Sequence, residues 1–262
     1  MPMQRYGLVG FPLSHSFSAR FFADKFAAEG RPARYDNYEM ATVDGLRAMI
    51  EATPDLRGLN VTIPHKEAVM AQLDALSPEA QRIGAVNVIR IARKADGQIW
   101  LEGCNRDVVG FSQSLAPLLQ THHRRALVLG TGGASKAVVV ALHDLGIAPT
   151  YVTRRATAPT IAVGGREVPL LSYEQVTPEL LATHHLLVNC TPLGMSPHVE
   201  AMPPIAYDAL TDQHLLYDLI YNPTKTRFLH EGAIRGAVTK NGLEMLHLQA
   251  IASWIFWHED DE

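Results

Sequence analysis

The feature that most constrains the fold is a strand, a glycine-rich turn and a helix that follow one another directly between Ala126 and Gly146. Ala126 to Leu129 form a continuous apolar run, which is typical of a strand buried on both faces of a parallel sheet. Glycines follow at once, and apolar side chains then recur with the period of one helix face, at Ala134, Val138, Ala141, Leu142 and Leu145. Gly146 comes just after them, where helices commonly end in a left-handed residue.

The turn between this strand and this helix has the composition of a dinucleotide-binding site. Glycine allows the backbone to approach a pyrophosphate, and the N-terminus of the helix presents N–H groups and a positive dipole end to it. The third small position of the fingerprint is Ser135, where Gly or Ala is usual. A Gly-Lys-Ser/Thr ending, which a P-loop would need, does not occur in this turn. The alternative is a tight turn in another kind of α/β sheet.

Composition excludes several classes of function. The net charge is −4 and the sequence has no Lys/Arg block, so we expect no nucleic-acid partner. The start MPMQRYGLVG lacks a signal-peptide core, and no apolar run has the length of a membrane span, so we expect no membrane partner and a cytoplasmic location. Cys104 and Cys190 are far apart, which predicts neither a disulfide framework nor a zinc knuckle.

The chain before residue 126 also reads as α/β, with polar residues where its elements end. Predicted strands are Tyr6–Val9, Ala33–Glu39, Gly58–Ile63 and residues 83–92. Predicted helices are a first helix within LSHSFSARFFADKFAAEG that ends at Gly30, then Val43–Glu51 and a segment from Lys66 onward. Open α/β sheets bind ligands at the carboxyl ends of their strands. We therefore expect a small polar pocket formed by Asn60, Thr62, Lys66, Asn87, Asn105 and Asp107.

Some of the polar residues near the start of the chain also have an ordinary structural explanation. Lys66 could be a solvated surface residue, although a cation at the start of a helix opposes the helix dipole. Asp107 could cap the helix that follows it. Ser14, Ser16 and Ser18 crowd the start of the first helix, where capping needs one hydroxyl and leaves others for a polyhydroxylated ligand.

Eight segments of the chain resemble the shikimate dehydrogenase family in order and spacing. They are LSHSFS, GLNVTIPHK, IGAVNVI, GCNRD, VLGTGGASKA, VNCTPLGM, DLIYNP and NGLEMLHLQA. The resemblance implies two α/β domains with a cleft between them. An N-terminal α/β domain, residues 1–105 with 241–262, would bind substrate, and a Rossmann-like domain, residues 106–240, would bind NADP.

The resemblance also implies roles for individual residues. Ser16 and Ser18 would hold the shikimate carboxylate, and Lys66 and Asp107 would form the catalytic pair. The other residues expected to bind substrate are Asn60, Thr62, Asn87, Asp107, Tyr221 and Gln249. The turn Gly130, Thr131, Gly132, Gly133 and Ala134 would bind the pyrophosphate, and Thr191, Pro192, Met195 and Gly242 would line the nicotinamide side.

The residues after the second strand of the cofactor domain favour NADP over NAD. Arg154 and Arg155 follow Thr153 where an NAD enzyme would have an acidic residue for the ribose 2′-hydroxyl. A solvated surface pair is the alternative. The family usually continues into a helix that carries a second basic residue for the phosphate. Here the segment ATAPTIAVGGREVPLL lacks a helical period and predicts two extended pieces around Gly164 and Gly165, so we expect a shortened phosphate-binding segment and a weaker preference for NADP. Arg106 is a second departure, at a position where the family typically has Thr.

The expected chemistry is reduction of a ketone, with the hydride from a nicotinamide and a proton from the protein. Lys66 could give its proton to the forming alkoxide while Asp107 positions the ammonium, but which of the two moves the proton is left open.

We expect no metal, because His122–His123 and His184–His185 are adjacent pairs that point different ways. A quinate or broader shikimate/quinate dehydrogenase and a non-catalytic redox sensor are the alternatives, and we expect a monomer or homodimer. The final helix, with Leu243, Leu246, Ala250, Trp254 and Trp257 on one face, should pack on the first domain.

Overall fold

Strands and helices alternate along most of the chain. The computed structural model describes residues 3–13 and 17–259. The strands are β1 (Gln4–Gly10), β2 (Ala33–Glu39), β3 (Leu56–Val61), β4 (Ala75–Leu76), β5 (Val88–Arg93), β6 (Ile99–Cys104), β7 (Arg125–Leu129), β8 (Ala148–Thr153), β9 (Thr160–Val163), β10 (Arg166–Ser172), β11 (Leu186–Asn189), β12 (Leu215–Asp218) and β13 (Val238–Lys240). The α-helices are α1 (Phe17–Ala28), α2 (Leu46–Glu51), α3 (Pro78–Ile83), α4 (Asp107–Leu115), α5 (Gly133–Asp144), α6 (Pro178–Leu181), α7 (Arg227–Ala233) and α8 (Leu243–Trp257).

The chain divides into two compact units. The first unit is Met1–Arg106 with Ala250–Glu262, and the second unit is Asp107–Gln249. Helix α8 therefore contributes its first turns to the second unit and its last turns to the first. None of the helices within residues 3–13 and 17–259 has the length and apolar character that crossing a membrane would need.

The first unit is built on a mixed sheet with the strand order β2-β1-β3-β5-β6-β4. β1 pairs in parallel with β2 and β3, and β5 pairs antiparallel with β3 and β6. The buried cluster that contains Val9, Leu46 and Leu59 forms one core of this unit. This mixed pairing differs from the purely parallel sheet of the second unit's main strands.

Aromatic side chains of α1, β1 and α8 form the other core of the first unit. Trp254 and Trp257 are buried with Tyr6 and Phe22, so the prediction that the tryptophans of the final helix are core residues is confirmed. The Trp257 Nε1–H donates to the carbonyl of Ile89 at 3.0 Å. Buried indole N–H groups need such a partner, and this one attaches α8 to β5.

The second unit has the strand order β13-β12-β11-β7-β8-β10-β9. The six strands other than the edge strand β9 are parallel. Numbered from β7 along the chain and read from the β10 edge, their order is 3-2-1-4-5-6, which is that of a dinucleotide-binding sheet. The expected strand, glycine turn and helix are β7, the turn Gly130–Gly132 and α5. Gly146 follows α5 with a φ of 74°. The predicted fold class, a two-domain α/β protein with a Rossmann-like half, is confirmed.

A β-hairpin stands where a Rossmann-like sheet usually has a crossover helix. β9 pairs antiparallel with β10, and β10 continues in parallel pairing with β8. Gly164 and Gly165 form the turn with φ values of 63° and 73°, as a two-residue hairpin turn with two left-handed residues requires. The two extended pieces predicted around these glycines are therefore present.

Two helices predicted in the first unit are wrong in type or extent. Residues 68–72 form only a 3-10 helix, so Lys66 does not begin an α-helix and the ammonium does not oppose an α-helix dipole there. The physical reason is that the carbonyl of Lys66 accepts a hydrogen bond from the Val86 N–H at 2.7 Å and is not used within a helix. Helix α2 begins at Leu46, three residues after the predicted start at Val43.

The polar residues Thr62 and Asn87 lie beside strands and not within them. β3 ends at Val61, just before Thr62, and β5 begins at Val88, just after Asn87. The predicted strand over residues 83–92 overlaps the end of α3, which Ser77 caps by accepting from the Ala80 N–H at 3.2 Å. Capping by Ser77 and the proline at the first helical position favour a helix that includes Ile83, the first residue of the predicted strand.

Candidate functional site

The turn after β7 lies against the loop after β11 in the second unit. Gly130 has a φ of 99°, and a Cβ at this position would be 2.8 Å from Cγ2 of Thr191. The Cys190 N–H donates to the carbonyl of Leu129 at 2.8 Å. These two loops leave the sheet where its strand order reverses, which is where dinucleotides bind in this class of sheet.

The N-terminus of α5 is suited to bind a phosphate. Its N-cap is Gly132, and no side chain among the described residues caps the helix. A Cβ built on Gly132 would have no heavy atom of the described chain within 4 Å, so a ligand could approach this backbone. The Ser135 hydroxyl donates to the carbonyl of Gly132 at 2.7 Å and is fully buried, which explains a small polar residue at this position.

Of the predicted pyrophosphate residues, Thr131, Gly133 and Ala134 are half-buried and Gly132 is exposed. Backbone groups of a helix N-terminus bind anions through their N–H groups and the helix dipole. The turn therefore fits a dinucleotide pyrophosphate, although the binding roles of its residues stay predictions.

The loop after β11 contains three of the residues predicted to line the nicotinamide side. Oδ1 of Asn189 accepts from the N–H of Thr191 at 3.0 Å and from its hydroxyl at 2.6 Å. Pro192 and Met195 are exposed. The amide of Asn189, which the sequence reading did not select, thus holds the start of this loop.

Gly242 packs against the segment after β12 that carries Tyr221. The Gly242 N–H donates to the carbonyl of Ile220 at 3.1 Å, and a Cβ at Gly242 would collide with the carbonyl oxygen of Leu219. Tyr221 is half-buried, and burial raises the pKa of its phenol. The structure therefore brings Gly242 together with the Tyr221 segment, within the second unit.

Arg154 and Arg155 are exposed directly after Thr153, the last residue of β8. Tyr173 follows the neighbouring strand β10, and burial raises the pKa of its phenol to about 12 against the opposing positive charge of Arg154. Its hydroxyl is buried and has no hydrogen-bond partner among the described residues. Tyr173 is not among the residues predicted for the site, although an aromatic residue directly after a strand at this edge is a possible signal.

Asn60 of the first unit is buried in a hydrogen-bonded chain of side chains. The Tyr35 hydroxyl donates to Oδ1 of Asn60 at 2.8 Å, and Nδ2 of Asn60 donates to Oγ of Ser253 at 3.0 Å. Ser18 hydrogen-bonds Tyr35 in turn, and burial raises the pKa of the Tyr35 phenol. Tyr35 and Ser253 were not selected from the sequence, because neither lies in a motif.

The remaining residues predicted for the first unit lie in or beside loops. Thr62 and Lys66 are half-buried, and Ser16 lies outside the described residues. Oδ1 of Asn87 accepts from the N–H of Arg106 at 2.7 Å, and Nδ2 of Asn105 donates to the carbonyl of Ala85 at 3.0 Å. Both asparagines thereby shape the turn that precedes α4.

Arg106, the residue that departs from the family pattern, is held by the end of the chain's last helix. Its guanidinium lies 5.0 Å from the ring centroid of Phe256 and is paired with Glu259 at 3.2 Å.

Asp107, the next residue, is buried as the first residue of α4. In the same unit as Asp107, Gly110 of α4 lies so close to α8 that a Cβ would be 3.1 Å from Cβ of Gln249. Gln249 itself is half-buried.

Histidines gather at the opposite end of the second unit's sheet, before the starts of its strands. The rings of His122 and His123 are 4.3 Å apart, and those of His122 and His185 are 5.4 Å apart. The expectation that adjacent histidines point different ways is therefore wrong for His122 and His123, whose rings lie together. Burial, followed by the nearby imidazoles, lowers the pKa of His123. Within the described part of the chain, no group of three His, Cys, Asp or Glu residues has a metal-binding arrangement.

Comparison with known proteins gives the same family from sequence and from structure. A sequence model of the shikimate dehydrogenase substrate binding domain matches residues 8–89. The shikimate dehydrogenase (NADP(+)) of Symbiobacterium thermophilum is 37% identical over 98% of this chain and 89% of its own length. A Thermus thermophilus shikimate 5-dehydrogenase solved with NADP(H) and shikimate is 30% identical, with a TM-score of 0.80 over 98% of this chain and 94% of that one.

A solved structure with a different name is similar to the same extent. The ligand-free 5-ketofructose reductase of Gluconobacter sp. is 30% identical, with a TM-score of 0.82 over 98% of this chain and 93% of that one. Fold and site together define a two-unit α/β protein of the dinucleotide-binding, Rossmann-like class. Within that class, the chain belongs to the shikimate dehydrogenase family.

Replacing Tyr35 by Phe tests how much the hydrogen bonds of the Asn60 side chain contribute to stability. The ring that stacks on Phe22 at 4.8 Å is kept, but the buried Oδ1 of Asn60 loses its donor. Leaving a buried polar atom unpaired costs about 1–3 kcal/mol, so we expect the free energy of unfolding to fall by that amount. Urea unfolding followed by fluorescence measures it. In the control Tyr173→Phe, which removes a hydroxyl without a partner among the described residues, the change should stay within about 0.5 kcal/mol; equal losses in both variants would contradict the prediction.

Proposed function

We propose that this protein is an NADP-dependent shikimate dehydrogenase, which interconverts 3-dehydroshikimate and shikimate. The observation that carries the proposal is the 37% identity, over 98% of the chain, to a protein named for this activity and cofactor. The dinucleotide-binding strand order and the uncapped glycine turn support it independently, because they supply a place for the cofactor.

The residues of the second unit fit a bound NADP. The N-terminus of α5 would hold the pyrophosphate, and the exposed Arg154 and Arg155 would meet the 2′-phosphate. Thr191, Pro192, Met195 and Gly242 would surround the nicotinamide end. When bound, NADPH supplies the hydride that reduces the ketone carbon.

The polar residues that the family resemblance implies would bind the substrate. Ser16 and Ser18 would hold its carboxylate, and the expected partners of its hydroxyls and ring are Asn60, Thr62, Asn87, Asp107, Tyr221 and Gln249. Because Asn60 is hydrogen-bonded to Tyr35 and Ser253, fewer of its polar groups remain for a ligand. Tyr35 in turn hydrogen-bonds Ser18, so these contacts favour a role in which Asn60 supports Ser18 through Tyr35.

Lys66 and Asp107 would handle the proton. In the reductive direction, the Lys66 ammonium gives a proton to the oxygen of the former ketone as the alkoxide forms, and the neutral amine accepts it in the reverse direction. Buried Asp107 would orient that ammonium and bind a neighbouring substrate hydroxyl. The product alcohol then carries one hydrogen from the hydride on carbon and one proton from the protein on oxygen.

The proposed activity is tested by assaying the purified protein against several substrates. We expect oxidation of shikimate with NADP⁺ to have the highest kcat/KM, above that of quinate with the same cofactor. 5-Ketofructose with NADPH is the third substrate, because a reductase of that sugar has a similar structure. A higher kcat/KM for quinate or 5-ketofructose would overturn the proposed substrate, and NADPH binding without turnover of any of the three would favour a redox sensor.

Arg154→Ala tests the cofactor preference. A charge-assisted contact to a phosphate is worth about 1.5–3 kcal/mol, so the KM for NADP⁺ should rise about tenfold to a hundredfold while that for NAD⁺ changes little. The matched control is Arg166→Ala, an exposed arginine of the hairpin that lies near His143. Equal effects on both cofactors, or the same change in the control, would show that Arg154 does not bind the 2′-phosphate.

Lys66→Met tests the proton transfer. The replacement keeps the bulk of the aliphatic stem and removes the ammonium, so kcat should fall by about 10²- to 10⁴-fold with a much smaller change in KM. The affinity for NADPH, measured by fluorescence, should stay within about twofold of the parent. The control is Lys94→Met, an exposed lysine over the ring of Trp100. Turnover within about threefold of the parent would transfer the proton-transfer role to Asp107 or a bound water.

A further inference from the structure

A buried polar centre lies under the loop that begins at Thr191. Asp218, at the end of β12, is fully buried, and so is Asn189, at the end of the neighbouring strand β11. Nδ2 of Asn189 donates to Oδ1 of Asp218 at 3.1 Å. Neither residue belongs to the set of substrate, cofactor or catalytic residues expected from the family resemblance.

The carboxylate of Asp218 accepts hydrogen bonds at both of its oxygens. Its Oδ1 also accepts from the Ile220 N–H at 3.0 Å, and its Oδ2 accepts from the Thr226 hydroxyl at 2.5 Å. Thr226 caps helix α7 with the same hydroxyl, which accepts from the Leu229 N–H. One carboxylate thus connects the end of β12, the start of α7 and Asn189.

The carboxylate also decides which way the amide of Asn189 points. An ionised carboxylate only accepts hydrogen bonds, so the Nδ2 donor of Asn189 must face Asp218 and the Oδ1 acceptor must face the other way. There Oδ1 accepts both the N–H and the hydroxyl of Thr191, while Nδ2 also donates to the Leu193 carbonyl at 3.3 Å. A flipped amide would place donor against donor at Thr191 N–H.

We propose that Asp218 is a positioning residue, which orients the Asn189 amide and thereby holds the Thr191–Met195 loop in its cofactor-binding conformation. The inference rests on the proposed function for what that loop binds. It is consistent with the chemistry of the centre, since burial raises the pKa of Asp218 to about 6 although three hydrogen bonds oppose the shift. A charge kept in such a costly place needs a role, and the three groups that it orients supply one.

The same carboxylate reaches the segment that carries Tyr221. By accepting from Ile220 N–H it sets the backbone directly before Tyr221, and the Ile220 carbonyl in turn accepts from the Gly242 N–H. Asp218 therefore couples two segments of the second unit, the loop from Thr191 and the turn that carries Tyr221. A loss of this acceptor should loosen both.

Asp218→Ala and Asp218→Asn test the inference as a pair. The alanine variant removes the acceptor, so hydrogen exchange of the 191–195 peptide, measured without cofactor, should accelerate while that of the β7 peptide 125–129 stays unchanged. The dissociation constant for NADPH should rise about three- to tenfold, the factor that an ordinary hydrogen bond gives. The asparagine variant keeps Oδ1 for Ile220 and Asn189, so it should restore both readouts to within about twofold of the parent. Asp208→Ala, an exposed residue of the same unit, is the control for a lost carboxylate.

Each alternative outcome has a definite meaning. Unchanged exchange at 191–195 in Asp218→Ala, or equal acceleration in all strands, would overturn the positioning role. If Asp218→Asn does not restore slow hydrogen exchange at 191–195, the negative charge of Asp218 holds the loop, and the orientation of the Asn189 amide does not. If Asp218→Ala does not fold, Asn189→Ala takes its place under the same criteria, because it removes the bonds to Thr191 directly. The exchange readout needs no activity, so it stands apart from a failure of the proposed function.

Discussion

The second unit depends on the close contact between two loops that leave neighbouring parallel strands. Leu129 of β7 pairs in register with Asn189 of β11, and the next residues, Gly130 and Cys190, turn away from the sheet together. Because Gly130 has a positive φ and almost touches Thr191, any side chain there would meet both backbone strain and a collision. The N-terminus of α5, which begins three residues after Gly130, is therefore held near the loop that begins at Thr191.

Features encoded by neighbouring residues could be predicted from the sequence. The β7–turn–α5 unit is local, since its apolar run, its glycines and its helical period lie within some twenty residues, and all three appear in the structure. The hairpin at Gly164 and Gly165 is another such case, because two successive left-handed residues almost define the turn. The tryptophans of α8 follow the same rule, because their helical spacing indicated a buried face.

Features that depend on distant partners could not be predicted in this way. Lys66 does not begin a helix because its carbonyl is used by Val86, twenty residues further along the chain. The apolar run around residues 83–92 reads as a strand, but the Ser77 cap and Pro78 start a helix that takes its first residue. Such outcomes are decided by hydrogen bonds between segments, which neither periodicity nor propensity contains.

The same limit explains why polar residues at strand ends are ambiguous as signals of function. Asn60 and Asn189 both stand at the end of a buried strand, and the sequence reading selected the first and passed over the second. In the structure, the amide of Asn60 is occupied by Tyr35 and Ser253, and the amide of Asn189 is occupied by Asp218 and Thr191. A buried amide with all its groups engaged orients its neighbours, and a ligand then meets the residues that it orients. The polar pattern of the sequence therefore marks the strand ends that carry polar residues, while the hydrogen-bond partners show which of those residues support their neighbours.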